Sequence, residues 1–140
     1  MGNPIAALQD QLSGEYRQDL QIIARTILKV MLARQSAMKL MICEADYFPE
    51  IRTIVNHIPR LVRQSLVGYL QKQIQAGVVL PLPPDLLAQL LWGILFSYVI
   101  NSGSYVCPSE TEHDEEEVIS LFANVFVRGT CASEKIGGSL

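Results

Sequence analysis

Histidine, cysteine and charge are all scarce in this sequence, and each scarcity excludes a class of function. The 140 residues hold two histidines, His57 and His113, far apart and in no metal-ligand spacing such as HExxH. Three cysteines, Cys43, Cys107 and Cys131, form no CxxC pair and leave an odd count, which excludes a disulfide framework and implies free thiols in a reducing, cytoplasmic setting. Cys43 with His57 makes a nonspecific nucleophile and base pair, and a buried thiol beside a loop or pocket imidazole accounts for the same residues. Cys107, His113 and nearby carboxylates read as a solvated acidic loop rather than a metal site. There is no glycine-rich phosphate loop. No catalytic residue, metal or cofactor is assigned, and an enzyme is not expected.

Charge is equally thin, at 18% of residues, with a net charge of -3 and a pI near 5.3. That balance gives no general attraction to nucleic acid, and Arg60 with Arg63 is too small a basic patch to change it. Long hydrophobic runs are also missing. The strongest, residues 86–100, is interrupted by Gln89 and falls short of the roughly 18 to 20 residues that a membrane span needs. Met1-Gly2-Asn3-Pro4 lacks the basic start and apolar stretch of a signal peptide, and Ala6 stands where a myristoylation pattern wants Ser or Thr.

What is present is apolar: 49% hydrophobic residues and a mean hydropathy of +0.23, high for a monomer whose surface charged groups must cover. One domain of this size buries about two thirds of the surface its unfolded chain exposes, and a partner would cover the excess. Residues 85–100 concentrate it: wound as a helix, with Asp85 as N-cap and Asn101-Ser102-Gly103 as its end, the segment is apolar nearly all round. Such a helix is either buried in a large core or shared between its own core and a partner, and in so small a chain the second is the expectation.

No segment alternates with period two, and the rest of the chain follows helical spacing, so the reading is all-α with six or seven helices. A short helix over 4–12 stops at Ser13-Gly14. An amphipathic helix over 15–34 carries Leu20, Ile23, Ile27, Val30 and Met31, with acidic residues at its start where the dipole favours them. A third covers 37–47, a short one 49–56 after Pro49, and another runs from Pro59 to Gly77, its C-terminal glycine. Residues 78–84, with three prolines, form an extended connection. Residues 103–113 form an acidic surface loop, and six of the 14 acidic residues, Glu110, Glu112, Asp114, Glu115, Glu116 and Glu117, fall within it or in the first turn of a final helix over 114–128. Glu44 is a carboxylate in an apolar stretch, expected to pair with Arg52 or Arg25 or to contact a ligand.

The block Cys43-Glu44-Ala45-Asp46-Tyr47-Phe48-Pro49-Glu50-Ile51 resembles the Glu-Ala-x-x-Phe-Pro-Glu-Leu signature of tetracycline-repressor-like (TetR) transcriptional regulators, in their C-terminal ligand-binding and dimerisation region. Gln75-Ala76-Gly77, then Leu91-Trp92-Gly93-Ile94-Leu95, then the stretch from Leu121 to Gly129 follow in that family's order, so the resemblance covers roughly 15–131. It implies a single regulatory domain over 1–140, a homodimer in which the helices over 85–100 and 114–128 form a four-helix bundle with their twins, and a pocket for a mainly apolar small effector. The family's helix-turn-helix head is absent from these residues, so DNA contact is expected only through a segment outside them.

Pocket candidates are Met38, Met41, Glu44, Tyr47, His57, Trp92 and Phe96, residue types that also fill ordinary cores. Interface candidates are Leu87, Leu91, Ile94 and Tyr98 on the first bundle helix, and Val118, Leu121, Phe122 and Val125 on the second. The alternative is a helical module that binds a protein partner and no small molecule.

Overall fold

A computed structural model of the chain describes residues 11–44, 47–101 and 113–132, with the backbone alone for Met41 and residues 51–59. Among the described residues there are five helices and no strands: α1 (Tyr16–Ala33), α2 (Gln35–Glu44), α3 (Pro49–Gln75), α4 (Pro84–Asn101) and α5 (Glu115–Thr130). The expected helix over 4–12 lies almost wholly outside the described residues, as does the acidic loop over 103–113 apart from His113.

The count falls below six because α3 is one helix of 27 residues where two were expected, running through Pro59. Proline's fixed φ suits a helix. Its cost is the missing N–H bond to the carbonyl four residues back and the crowding of that carbonyl, about 3 kcal/mol, which a long helix packed along its length can absorb. Pro49, in contrast, opens α3 at its first turn, with Phe48 held extended before it (φ -131, ψ 89). At the far end Gly77 takes φ +78, its N–H bonds the Ile74 carbonyl at 3.0 Å and the Val78 N–H bonds the Gln73 carbonyl at 2.9 Å. These are the two bonds of a Schellman cap.

The start of α4 corrects a second expectation. Asp85 is inside its first turn rather than its cap, because the Leu87 N–H already bonds the Pro83 carbonyl at 3.1 Å. Pro84 takes the first helical position, where its missing N–H costs nothing. The 78–84 connection is held to the end of α5 by a short antiparallel bridge at Val79 and Cys131, with Leu80 N–H to Thr130 O at 2.8 Å and Ala132 N–H to Val78 O at 2.9 Å.

Helix α1 is the centre of the packing, set between α5 and α4, while α3 packs on α4 and α2 closes the corner between α3 and α4. Its buried stripe, Leu20, Ile23, Ala24, Ile27, Leu28 and Met31, meets Val62, Leu66 and Leu70 of α3, Leu91, Leu95 and Val99 of α4 and Ile119, Ala123 and Phe126 of α5 in one core. The junction of α1 and α2 is a break at Arg34 alone, and Gln35 then donates its side-chain amide to the Val99 carbonyl at 2.8 Å. That carbonyl lies in the last turn of α4, where no helical donor remains. No helix among the described residues is long and apolar enough to cross a membrane.

Candidate functional site

Among the described residues one buried carboxylate is fully satisfied, and it is one that the sequence pattern did not single out. Asp19 is 1% exposed, yet its carboxylate has four donors: Ser13 N–H (2.9 Å), Ser13 Oγ (3.3 Å), Gly14 N–H (3.2 Å) and Tyr69 Oη (2.9 Å). It therefore ties the segment before α1 to α3. Burial pushes the Tyr69 phenol well above its ordinary range, and the Asp19 carboxylate beside it adds to the rise. The signal was legible: Asp19 falls on the same helical face as Tyr16 and Ile23, so the wheel that identified the core also turns this acid inward.

A second buried pair lies at the same end of α1, one turn before Asp19, and ties it to α5. Thr130 Oγ1 donates to the Phe126 carbonyl at 2.8 Å, which leaves Tyr16 to donate its hydroxyl to Thr130 at 2.6 Å. Burial, with the Thr130 bond opposing it, pushes the Tyr16 phenol up to about 12. Arg25 does not pair with Glu44. Its guanidinium makes a two-pronged contact with Glu116 of α5, at 3.2 and 2.8 Å, which holds the Glu116 carboxyl below its usual range. Arg25 faces α5, so it is out of reach of α2; the Arg52 side chain lies outside the described residues.

Of the pocket candidates, Met38, Trp92 and Phe96 are half-buried and pack against the core from α2 and α4. Glu44 is half-buried at the end of α2, Tyr47 is 77% exposed, and the side chains of Met41 and His57 lie outside the described residues. The interface candidates divide sharply. Leu87, Leu91 and Val118 are buried in the chain's own core, with no surface to offer a twin. Ile94, Tyr98 and Phe122 are half-buried, the last two in edge-to-face contact at 6.2 Å between α4 and α5. Leu121 and Val125 stand out at 56% and 60% exposure.

The exposed apolar residues of α4 are others than those expected. Leu86 and Leu90 (52% exposed) lie with Gly93 and Ser97 on the face opposite Leu87, Leu91 and Leu95. An all-apolar helix shows no moment by which to choose its inner face, so its sequence alone left the two sides equivalent.

Between α3 and α4 there is an open groove of about 370 Å³, lined by Arg60, Arg63, Gln64 and Val67 on one wall and Asp85, Ala88 and Gln89 on the other. Among the described residues no cluster of three or more histidine, cysteine or acidic side chains could hold a metal ion, and no buried side-chain nitrogen or oxygen lacks a hydrogen-bond partner.

No curated protein and no solved structure matches the chain significantly. A family model does, that of the AefR-like transcriptional repressor, C-terminal domain, over residues 18–128. That span holds α1 to α4 nearly entire and α5 up to its last turn, the same helices whose order the Glu44 to Ile51 block led one to expect. The chain therefore belongs to this family of TetR-type C-terminal regulatory domains.

Proposed function

We infer that the protein is the effector-sensing and homodimerisation domain of a TetR-like transcriptional repressor, cytoplasmic, with a mainly apolar small molecule as its signal. The observation that carries the reading is the solvent-facing apolar strip on α4 and α5: Leu86, Leu90, Leu121 and Val125 are exposed, while the same two helices bury a second apolar face in their own core. Gly93 lies within this strip. A Cβ built on it meets nothing within 4 Å, so the chain's own packing does not require glycine there. A mid-helix glycine costs about 1 kcal/mol against alanine, and close approach of a twin helix would account for it.

In this reading the effector lies where α2, α3 and α4 meet, a location supported by Met38, Trp92 and Phe96, half-buried there, and by Glu44, which supplies a carboxylate. The effector acts by binding one arrangement of α3 better than another, and it can shift the equilibrium only by that difference in affinity. DNA contact belongs to a helix-turn-helix segment outside these residues, and within this reading the domain performs no catalysis.

Sedimentation equilibrium at micromolar concentration tests the dimer, with twice the chain mass expected and a monomer removing the claim. A second reading, a module that docks a protein, is favoured by Leu40, Ile42, Tyr47 and Phe48, each exposed in or just after α2. A rise in melting temperature with apolar small molecules supports the sensor, and none across a chemically diverse set supports the module.

A further inference from the structure

Arg60 and Arg63 lie three residues apart on α3, so their side chains leave the helix on one face and reach the same side of the α3–α4 groove. Among the described residues neither guanidinium forms an ion pair, although the chain has more acidic than basic residues to offer. Asp85 lines the opposite wall and reaches neither, so the groove retains one net positive charge. Its apolar lining is Val67 and Ala88, the latter fully buried, and Gln64 and Gln89 complete it. One turn further along α4, on the same face as Ala88, comes Trp92.

We propose that this groove is the site at which the effector's charged end is held, and that the effector is a monoanionic amphipath: a carboxylate gripped by Arg60 and Arg63, with an apolar body lying over Val67 and Ala88 toward Trp92. The proposal rests on the sensor reading above and deepens it, since an apolar effector alone leaves the two arginines without a role. Guanidinium is suited to this task because its planar fork presents paired donors to a carboxylate. Asp85 sets the direction, repelling the anion from the α4 wall and orienting it to α3. A single negative charge neutralises the groove, whereas a dianion would leave excess charge against Asp85.

Trp92 is the chain's one tryptophan and lies one turn of α4 beyond Ala88 of the groove lining, so its emission reports, without a label, an apolar body that extends from the groove to it. The experiment titrates the intact protein with octanoate and, separately, with 1-octanol, which has the same apolar body and no charge. Octanoate should change Trp92 emission saturably with an affinity at least about tenfold tighter than octanol, the margin expected of a charge-assisted hydrogen-bonded pair in a partly open site. In the double variant Arg60→Gln, Arg63→Gln that margin should vanish while the octanol response is unchanged, which also certifies that the groove remains folded. Equal affinities in the unaltered protein, or an undiminished octanoate preference in the double variant, overturn the anion site and leave the apolar sensor standing. A silent Trp92 with both probes overturns the anion site together with a sensor built around Trp92 and this groove.

Discussion

Helices α1 and α4 are each 18 residues long and lie against each other, yet they solve opposite problems. Helix α1 has one apolar stripe and a polar back, and the chain itself covers the stripe entirely. Even the acid that strays onto its buried face, Asp19, finds four donors within the protomer. Helix α4 has apolar residues on both sides, and the chain covers one of them. Leu91 and Leu95 are wholly enclosed while Leu86 and Leu90 face solvent. The contrast teaches how burial demand is divided: met internally, it marks scaffold, and met halfway, it marks the face on which the proposed twin would pack.

The contrast is broken most severely at Asp19. Asp19→Ala leaves the Tyr69 hydroxyl and two backbone amides without their acceptor, and should cost about 3 kcal/mol of stability, read as a lowered urea midpoint. A loss under about 1 kcal/mol would mean that water replaces the carboxylate and that the node is not structural.

Leu90→Glu probes the other helix. It should leave the protomer's helix content intact by circular dichroism yet weaken self-association by about a hundredfold or more, since a charge would be buried in an apolar seam. The neighbouring Leu91→Ala should do the reverse in kind, destabilising the fold by about 2 to 5 kcal/mol because Leu91 belongs to the core. If Leu90→Glu still associates as before, the interface is elsewhere.

Tyr69→Phe removes a single arm of the Asp19 node and should cost about 1 to 1.5 kcal/mol. It also sharpens a pH dependence. Tyr16 and Tyr69 both hold their protons more tightly folded than unfolded, so their contribution to stability is complete below pH 10, the ordinary phenol value, and is lost as pH rises from there toward 12. Denaturation measured at pH 9 and pH 11 should show that loss, and the Tyr69→Phe variant should show less of it. A flat profile would mean that these phenols are as accessible in the folded protein as in the unfolded one.

The smallest effect is expected at Arg25. Its contact with Glu116 is well formed but largely solvent-exposed, so Arg25→Gln should change stability by less than about 1 kcal/mol, with salt diminishing the difference further. A larger loss would make this surface pair a true clasp between α1 and α5.

Much of the fold was legible before any coordinates, for reasons particular to each element. The spacing of Leu20, Ile23, Ile27 and Met31 defined α1 to within a residue at each end, because amphipathic periodicity reports directly on one-sided burial. Gly77 marked the end of α3 because its positive φ strongly favours glycine. Pro59 misled: a proline signals a local cost, and whether a helix survives it depends on the packing gained on either side. The candidate site was less legible. Glu44 stood out in the sequence as an acid among apolar neighbours and Asp19 did not, yet Asp19 is enclosed by a loop and a tyrosine fifty residues away, whereas Glu44 is half-exposed at a helix end.

By itself, then, the amino-acid sequence determined the helical class, the order of the helices and the family resemblance, since these follow from local periodicity, turn chemistry and short motifs. Only the tertiary structure decided which side of α4 is the inside, which tyrosine meets which acid, and that Arg60 and Arg63 share a groove with Asp85. Those are properties of how helices are rotated against one another. A segment apolar on every face carries no local preference among rotations, so the choice is made by the core as a whole.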